Sequence, residues 1–358
     1  MTLSRLEVLT FRNIQRAVIE PRPGINAFFG GNGSGKTSLL EAIYFLGNFR
    51  SFRSSQAAAV ISDESEFALI RGLTDQGDQL AVQRARNKRH QLRLNQAPLV
   101  RASDLAMALP TVVFDPNTIL LVIGEPERRR RFLNWGLFHV KPHFAESWRS
   151  WSRALDQRNR LLKVGYASDS LKEWTALLVK YSETIDFWRQ QYVESLQAAF
   201  VQLIDQLGID QPLTLEYRRG WPQDRDLKAA LEEDLPTDLK RGFSQKGLHR
   251  SDLRLSVGGR PVAEHLSRGE AKMIAWLLGL AQLSLLPSAV SQKTIMLVDD
   301  PGSEIDPHYR QAMGDCMTMR ACQVFTTSTT QEAHRQIWGT KLNQLFHVKQ
   351  GTIESSGG

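Results

Sequence analysis

A chain of 358 residues that is 42% apolar has room for roughly two domains, or for one domain with a large insertion. Its 45 basic and 38 acidic residues leave a net +7, which permits contact with phosphate backbones without requiring it, since many basic surfaces are simply solvated. No apolar run is long enough for a membrane-spanning helix, the opening MTLSRLEVLTF lacks a secretory pattern, and the only cysteines are Cys316 and Cys322. A membrane anchor and a disulfide framework are therefore not expected, and a reducing, cytoplasmic setting is.

In chain order, LSRLEVLTF (3–11) alternates as a strand does, and INAFF (25–29) reads as a short buried strand. Next comes FFGGNGSGKTSLLEAIYFLG (28–47), which holds the pattern G-x-x-x-x-G-K-[ST]. Gly30, Gly31, Asn32, Gly33, Ser34 and Gly35 form a loop whose backbone N–H groups turn toward one centre and so make a nest for phosphate at a helix start. Lys36 is placed to reach the β- and γ-phosphates of a nucleotide, and the Thr37 hydroxyl to ligate its Mg²⁺. Leu39, Leu40, Ile43 and Leu46 recur at helical spacing, and Gly47 is expected to end that helix. Strand, loop and helix is the context that a phosphate loop needs.

EFALIRGL, QLAVQRARN and HQLRLNQ suggest an antiparallel meander with a turn at Asp75-Gln76-Gly77, and LPTVVFD closes this section as a strand. From Pro126 the residues turn charged and aromatic at helical spacing as far as Lys163, and the pattern resumes after a break at 165–169. This predicts two long helices in an antiparallel hairpin, with Trp174, Leu177, Leu178, Tyr181, Ile185 and Trp188 as a packing stripe. LTLEYRRGW reads as a strand, DLKAALEEDLPTDLKRGFSQ as a helix, and GLHRSDLRLSVGGRPV as a hairpin turning at Gly258-Gly259. Strands and helices then alternate to the end, as in α/β proteins.

TIMLVDD (294–300) is a buried strand that ends in two acids. Asp299 is the candidate Mg²⁺-holding carboxylate, and Asp300 the residue that orients or activates an attacking water. Phosphate loop and acids lie more than 250 residues apart, so one sheet must be assembled from both ends of the chain. Ahead of the acids, LSRGE (266–270) opens an apolar helix with Ser267 and Glu270 spaced as a capping box. The other reading is that Ser267 and the Gly269 N–H form a second phosphate-contacting helix end.

LSRGE resembles the LSGGQ signature of ABC-type ATPases, and DDPGSEID their acidic strand end and following loop. More specifically, FRNI (11–14), the phosphate loop, FRSFR (49–53), FDPNTILLVIGEPERRRRFLNWG, GLHRSDLRL, LSRGEAKM and LVDDPGSEID resemble the RecF family of bacterial recombination proteins, relatives of the SMC head domains. The resemblance implies an α/β ABC-type ATPase head with an inserted helical arm. Residues 1–125 and 241–358 would form the head and 126–240 the arm. It implies ATP and Mg²⁺ as ligands, a homodimer that pairs one copy's phosphate loop with the other's signature, and DNA at single-strand to double-strand junctions. It also implies cooperation with RecO and RecR in loading RecA during gap repair and the SOS response.

Several departures bear on activity. The signature ends in Glu270 where Gln is more familiar, Leu248 stands where the family usually has Pro, and FDPN offers no Q-loop glutamine. Thr326 to Thr329 occupy the place of the switch histidine, and Asp300 is shorter than the Glu of many relatives. Slow hydrolysis is therefore expected, at about 1 per second or below. The alternatives, a transporter's nucleotide-binding subunit, another SMC-like chromosome protein or a phosphotransferase, use fewer of these features. Arg50 and Arg53 are either phosphate contacts or an exposed basic turn. In the run Arg128 to Arg131 not every side chain can reach one ligand, because consecutive residues point around the helix. His249, Arg250 and Asp252 are read as structural or as part of a dimer face. His139, His143, His249 and His308 lack metal-ligand spacing.

Overall fold

In the computed structural model, residues 1–87, 89–165, 169–209, 212–304, 307–319 and 323–356 are described. Cys322 and the Ile305-Asp306 end of LVDDPGSEID lie outside them, as does most of the 165–169 break. The chain forms two compact units, Met1–Thr118 with Pro287–Gly358, and Ile119–Leu286.

The first unit contains a six-stranded sheet in the order Thr352–Ser356, Leu342–Lys349, Ile25–Phe29, Gln323–Ser328, Ile295–Val298, Thr111–Phe114. All pairings are parallel except the hairpin of the first two strands. Strands from both ends of the chain thus lie side by side, as the distance between the two motifs requires. IMLV (295–298) is buried at every position, because neighbours cover both faces of a parallel sheet.

An antiparallel sheet in the same unit runs Ile14–Ile19, Leu3–Phe11, Phe67–Thr74, Gln79–Ala85, Gln91–Leu94, Ala97–Pro98. The meander is where the alternation puts it; the strands 14–19 and 97–98 had not been read from sequence. The turn at Asp75-Gln76 closes with the Gly77 N–H donating to the Thr74 carbonyl at 3.0 Å. The phosphate-loop helix, Lys36–Asn48, packs Leu39, Leu40, Ile43 and Leu46 into a core shared with Leu6, Val8, Ala68 and Ile70. Each such buried side chain contributes about 1.5–3 kcal/mol. The buried Gln323 amide bonds the Leu3 backbone in both directions, at 2.8 and 2.9 Å, and so ties the two sheets together.

Gly47 does not end the helix. It lies inside it and is buried, and the helix stops at Asn48 with Phe49 in the left-handed region at φ +52°. Glycine is needed for closeness, since a Cβ at Gly47 would lie 2.6 Å from the Leu109 carbonyl oxygen.

The second unit is mainly helical. The stretch read as a single first helix is two, Pro126–Val140 and Phe144–Val164. Pro142 lacks an N–H and pushes Lys141 into extended backbone at φ −113°, ψ 110°. The latter helix packs against Asp169–Gln206, and the Trp151 indole donates to Ser182 across the pair. Within the expected stripe Leu178 and Ile185 are buried, whereas Leu177 is 39% exposed; the buried line continues through Val193, Leu196 and Phe200. The stretch 226–245 likewise splits, into Leu227–Glu233 and Leu235–Arg241, where Pro236 takes a first-turn position. Asp252–Val257 and Arg260–Pro261 form the hairpin around Gly258-Gly259, and Leu213–Arg218 is its third strand.

Candidate nucleotide site

In the first unit the loop after Ile25–Phe29 borders a cleft of about 880 Å³ lined by Asn32, Gly33, Ser34, Gly35, Lys36, Thr37, Asp299 and Asp300, among others. Backbone conformation dictates its glycines. Gly33 (φ +75°) and Gly35 (φ +113°) sit in left-handed backbone, and a Cβ on Gly30 would lie 2.1 Å from the Val348 carbonyl oxygen. Two distant segments brace the loop. The Gly351 N–H donates to the Ser34 carbonyl at 2.7 Å, and the Asn13 amide to the Gly33 carbonyl at 3.1 Å. Neither had been singled out from sequence. Their signal, a turn glycine and an asparagine near the N-terminus, is common in loops of every kind.

No side chain caps the start of helix Lys36–Asn48. Its first N–H groups therefore lack helical partners and carry the positive end of the helix dipole. Lys36 Nζ donates to the carbonyls of Gly30 and Gly31 at 2.8 and 2.9 Å. Burial lowers its pKa, opposed by the charges of Asp300 and Asp299.

The structure brings together the two motifs that the chain separates. Thr37 Oγ donates to the Asp299 carboxylate at 3.0 Å, across 262 positions of sequence. Thr327, the middle of TTS at the end of the neighbouring strand, donates to Asp299 Oδ1 at 2.6 Å and accepts from the Asp300 N–H at 3.0 Å. Burial pushes the Asp299 carboxyl up; the hydrogen bonds from Thr327 and Thr37 oppose that shift, and the charges of Asp115 and Asp300 add to it. Asp300 lines the cleft in left-handed backbone, φ +47°.

Arg12 and Arg53 also line the cleft. Both approach the fully buried Glu41 of the phosphate-loop helix, Arg12 through Nε (3.0 Å) and Nη2 (2.7 Å), Arg53 through Nη1 at 3.6 Å. Of the two arginines read from FRSFR, Arg53 faces the cleft and Arg50 is not among its lining residues. Arg12, known from sequence only as part of FRNI, is the better anchored of the pair at Glu41.

Ser267 and Gly269 lie in the second unit. Ser267 caps helix Arg268–Ser284 and makes the full capping box with Glu270, whose carboxylate accepts from the Ser267 N–H at 2.8 Å. Ser267, Arg268 and Gly269 are exposed, and a Cβ at Gly269 would meet nothing within 4 Å. Within 128–131, Arg129 pairs with Asp252 at 2.8 Å and Arg130 donates to the Ser251 carbonyl, while Arg128 and Arg131 are exposed. Asp252 is thus held within its own unit, and His249 is half-buried with Nε2 3.0 Å from the Ser244 carbonyl.

This donor set fits a polyphosphate. An uncapped helix start, a lysine and two guanidinium groups surround one cleft, and a hydroxyl lies beside a carboxylate where a hard cation takes oxygen ligands. Comparison with known proteins points the same way. Residues 2–354 match the family model described as RecF/RecN/SMC N terminal domain. The chain is 39% identical to the DNA replication and repair protein RecF of Pseudomonas syringae pv. syringae, over 99% of this chain and 98% of that one. It is 38% identical to the protein of that name from Shewanella baltica, over 99% of both. Among solved structures, the recombination mediator protein RecF-ATPrS in the RecFOR pathway superposes with a TM-score of 0.86 at 25% identity, covering 99% of this chain and 98% of that one. A Smc head domain from Pyrococcus furiosus shares the fold at TM-score 0.60 and 14% identity, covering 99% and 96%.

Proposed function

Because the chain belongs to the RecF family, we propose that it is an ATP-dependent DNA-binding protein of recombinational repair, and that ATP acts mainly as a dimerisation switch. Residues 1–125 and 241–358 make the ATPase head in this reading, and 126–240 the arm. The approach of Thr37 to Asp299 carries the reading: two groups far apart in the chain meet at the mouth of a glycine loop, where a nucleotide's phosphates and cation belong.

Gly30 to Gly35 cradle the phosphates, Lys36 contacts the β- and γ-phosphates, and Thr37 and Asp299 hold Mg²⁺. When bound, Mg²⁺ neutralises charge between the phosphates. Asp300 orients or activates the attacking water. Ser267, which would have to share its capping hydroxyl, and the Gly269 N–H are exposed at a helix start and meet the nucleotide of a second copy. With no histidine at 326–329 and an Asp in place of the longer acid, turnover is slow, about 1 per second or below. The DNA target is a single-strand to double-strand junction, the partners are RecR and RecO, and the outcome is RecA loading in gap repair and the SOS response, in the cytoplasm. Among the described residues no helix is long and apolar enough to cross a membrane.

Light scattering with Mg-ATP and gapped DNA tests the proposal. The wild type should double its mass. Lys36→Met and Ser267→Arg should remain folded monomers: Lys36 is at the cleft and not in a core, and loss of the exposed Ser267 cap costs only about 1 kcal/mol. A wild type that stays monomeric in saturating Mg-ATP with DNA present, or a Lys36→Met protein that dimerises equally well, would overturn it.

A further inference from the structure

We propose that Thr327 is a positioning residue that sets the geometry of both acids in the Asp299-Asp300 pair. The inference rests on the nucleotide reading above and extends it to a buried residue at the back of the same cleft.

Thr327 is fully buried in the strand Gln323–Ser328, and its hydroxyl makes two contacts at once. The roles in these contacts are forced. An amide can only donate, so the hydroxyl accepts from the Asp300 N–H (3.0 Å), and its single proton goes to Asp299 Oδ1 (2.6 Å). One oxygen therefore fixes a carboxylate and the peptide that follows it. Asp300 sits at φ +47°, left-handed backbone that costs most residues with a Cβ about 1–2 kcal/mol and an aspartate less. The bond from its N–H to Thr327 holds that peptide from the strand side, while Ser303 bonds the Asp300 carbonyl and the Asp299 N–H bonds the Phe114 carbonyl. Released from it, the backbone would relax, Asp300 would leave its position on the cleft wall, and Asp299 would lose the contact that keeps it facing Thr37.

The strand supplies its own control. Thr326 and Ser328 are buried as well, but successive residues of a strand point to opposite faces, and their hydroxyls make no hydrogen bond among the described residues. Of the three buried hydroxyl residues that end the strand, only the second reaches the acids.

Four variants test the idea: Thr327→Val, which keeps shape and removes the hydroxyl; Thr327→Ser, which keeps the hydroxyl; Thr326→Val, a matched buried change on the other face; and Thr327→Ala, which replaces the first should it fail to fold. In nucleotide-free protein, exchange of the Asp300 amide should quicken at least tenfold in Thr327→Val and stay at the wild-type rate in Thr327→Ser and Thr326→Val. The Mg²⁺ concentration that half-saturates ATP binding should rise about tenfold in Thr327→Val alone, with Mg-free ATP affinity unchanged. Turnover should fall about tenfold with KM for ATP within twofold, and Thr327→Ser should restore it. Unchanged exchange and Mg²⁺ requirement in Thr327→Val would overturn the proposal, and so would a serine variant as impaired as the valine one. A wild type that fails to bind Mg-ATP would sink the nucleotide reading instead, and the exchange rates would still decide the role of Thr327.

Discussion

Glu41 carries a charge on the phosphate-loop helix with no surface exposed to solvent. A carboxylate so placed is tolerable only when cations and hydrogen bonds replace its water, and Arg12, Arg53 and Ser51 do so. The two arginines are unequal. Arg12 makes two charge-assisted bonds and its side chain is 21% exposed, whereas Arg53 stands off at 3.6 Å and is 46% exposed. Glu41→Gln should therefore cost about 2 kcal/mol of stability, below the range for a fully buried pair because both cations keep some water. Arg53→Ala should cost under about 1 kcal/mol, as partly exposed pairs do. Denaturant unfolding of the two variants checks the order, and an Arg53 loss as large as that of Glu41 would contradict it.

The phosphate-loop helix shows how one element serves two needs. Its first turn is left uncapped beside the cleft, and its last turn must lie close against the strand Thr111–Phe114 and the segment before it. Gly47 makes the second possible. An alanine is normally worth about 1 kcal/mol over glycine inside a helix, yet here its methyl would press on the Leu109 backbone oxygen, which cannot swing aside as a side-chain end could. Overpacking of this kind costs about 1–3 kcal/mol. Gly47→Ala should thus lower stability despite its helix propensity, and a raised denaturation midpoint would show that the segment at Leu109 yields more easily than its position suggests.

Over the whole molecule, two buried histidines, His139 and His334, and the half-buried His249 set a dependence on pH. Burial drives the pKa of His139, His249 and His334 down to about 4. In the unfolded chain each titrates near 6.5, so the unfolded state binds the extra proton first. Their neutral burial is fully tolerated above pH 6.5, and stability is lost as pH falls from there toward 4. At pH 5 the loss is about 2 kcal/mol for each histidine. His139 and His249 lie in the second unit and His334 in the first, so both units should lose stability. Asp186 and Asp299, whose carboxyls burial pushes up, act in the opposite sense at lower pH. Calorimetry at pH 7 and pH 5 checks this: equal melting temperatures at the two values would mean that the histidines are not buried neutral.

The glycine loop between strand and helix, the acidic strand end, the capping box and most strands were legible in the sequence, because each is a pattern of a few neighbouring residues whose spacing maps directly onto one turn, one strand or one helix end. The need for a sheet drawn from both chain ends followed as well, from the distance between two motifs expected to meet at one site. Tertiary structure alone decided which of three hydroxyls at 326–328 serves the acids, why Gly47 is a glycine, where Arg12 and Arg53 find their carboxylate, and that Gly351 braces Ser34. A hydroxyl, a glycine or an arginine looks the same in sequence whatever faces it. Its partner is fixed only when segments hundreds of residues away are brought within about 3 Å, the distance at which a hydrogen bond has value.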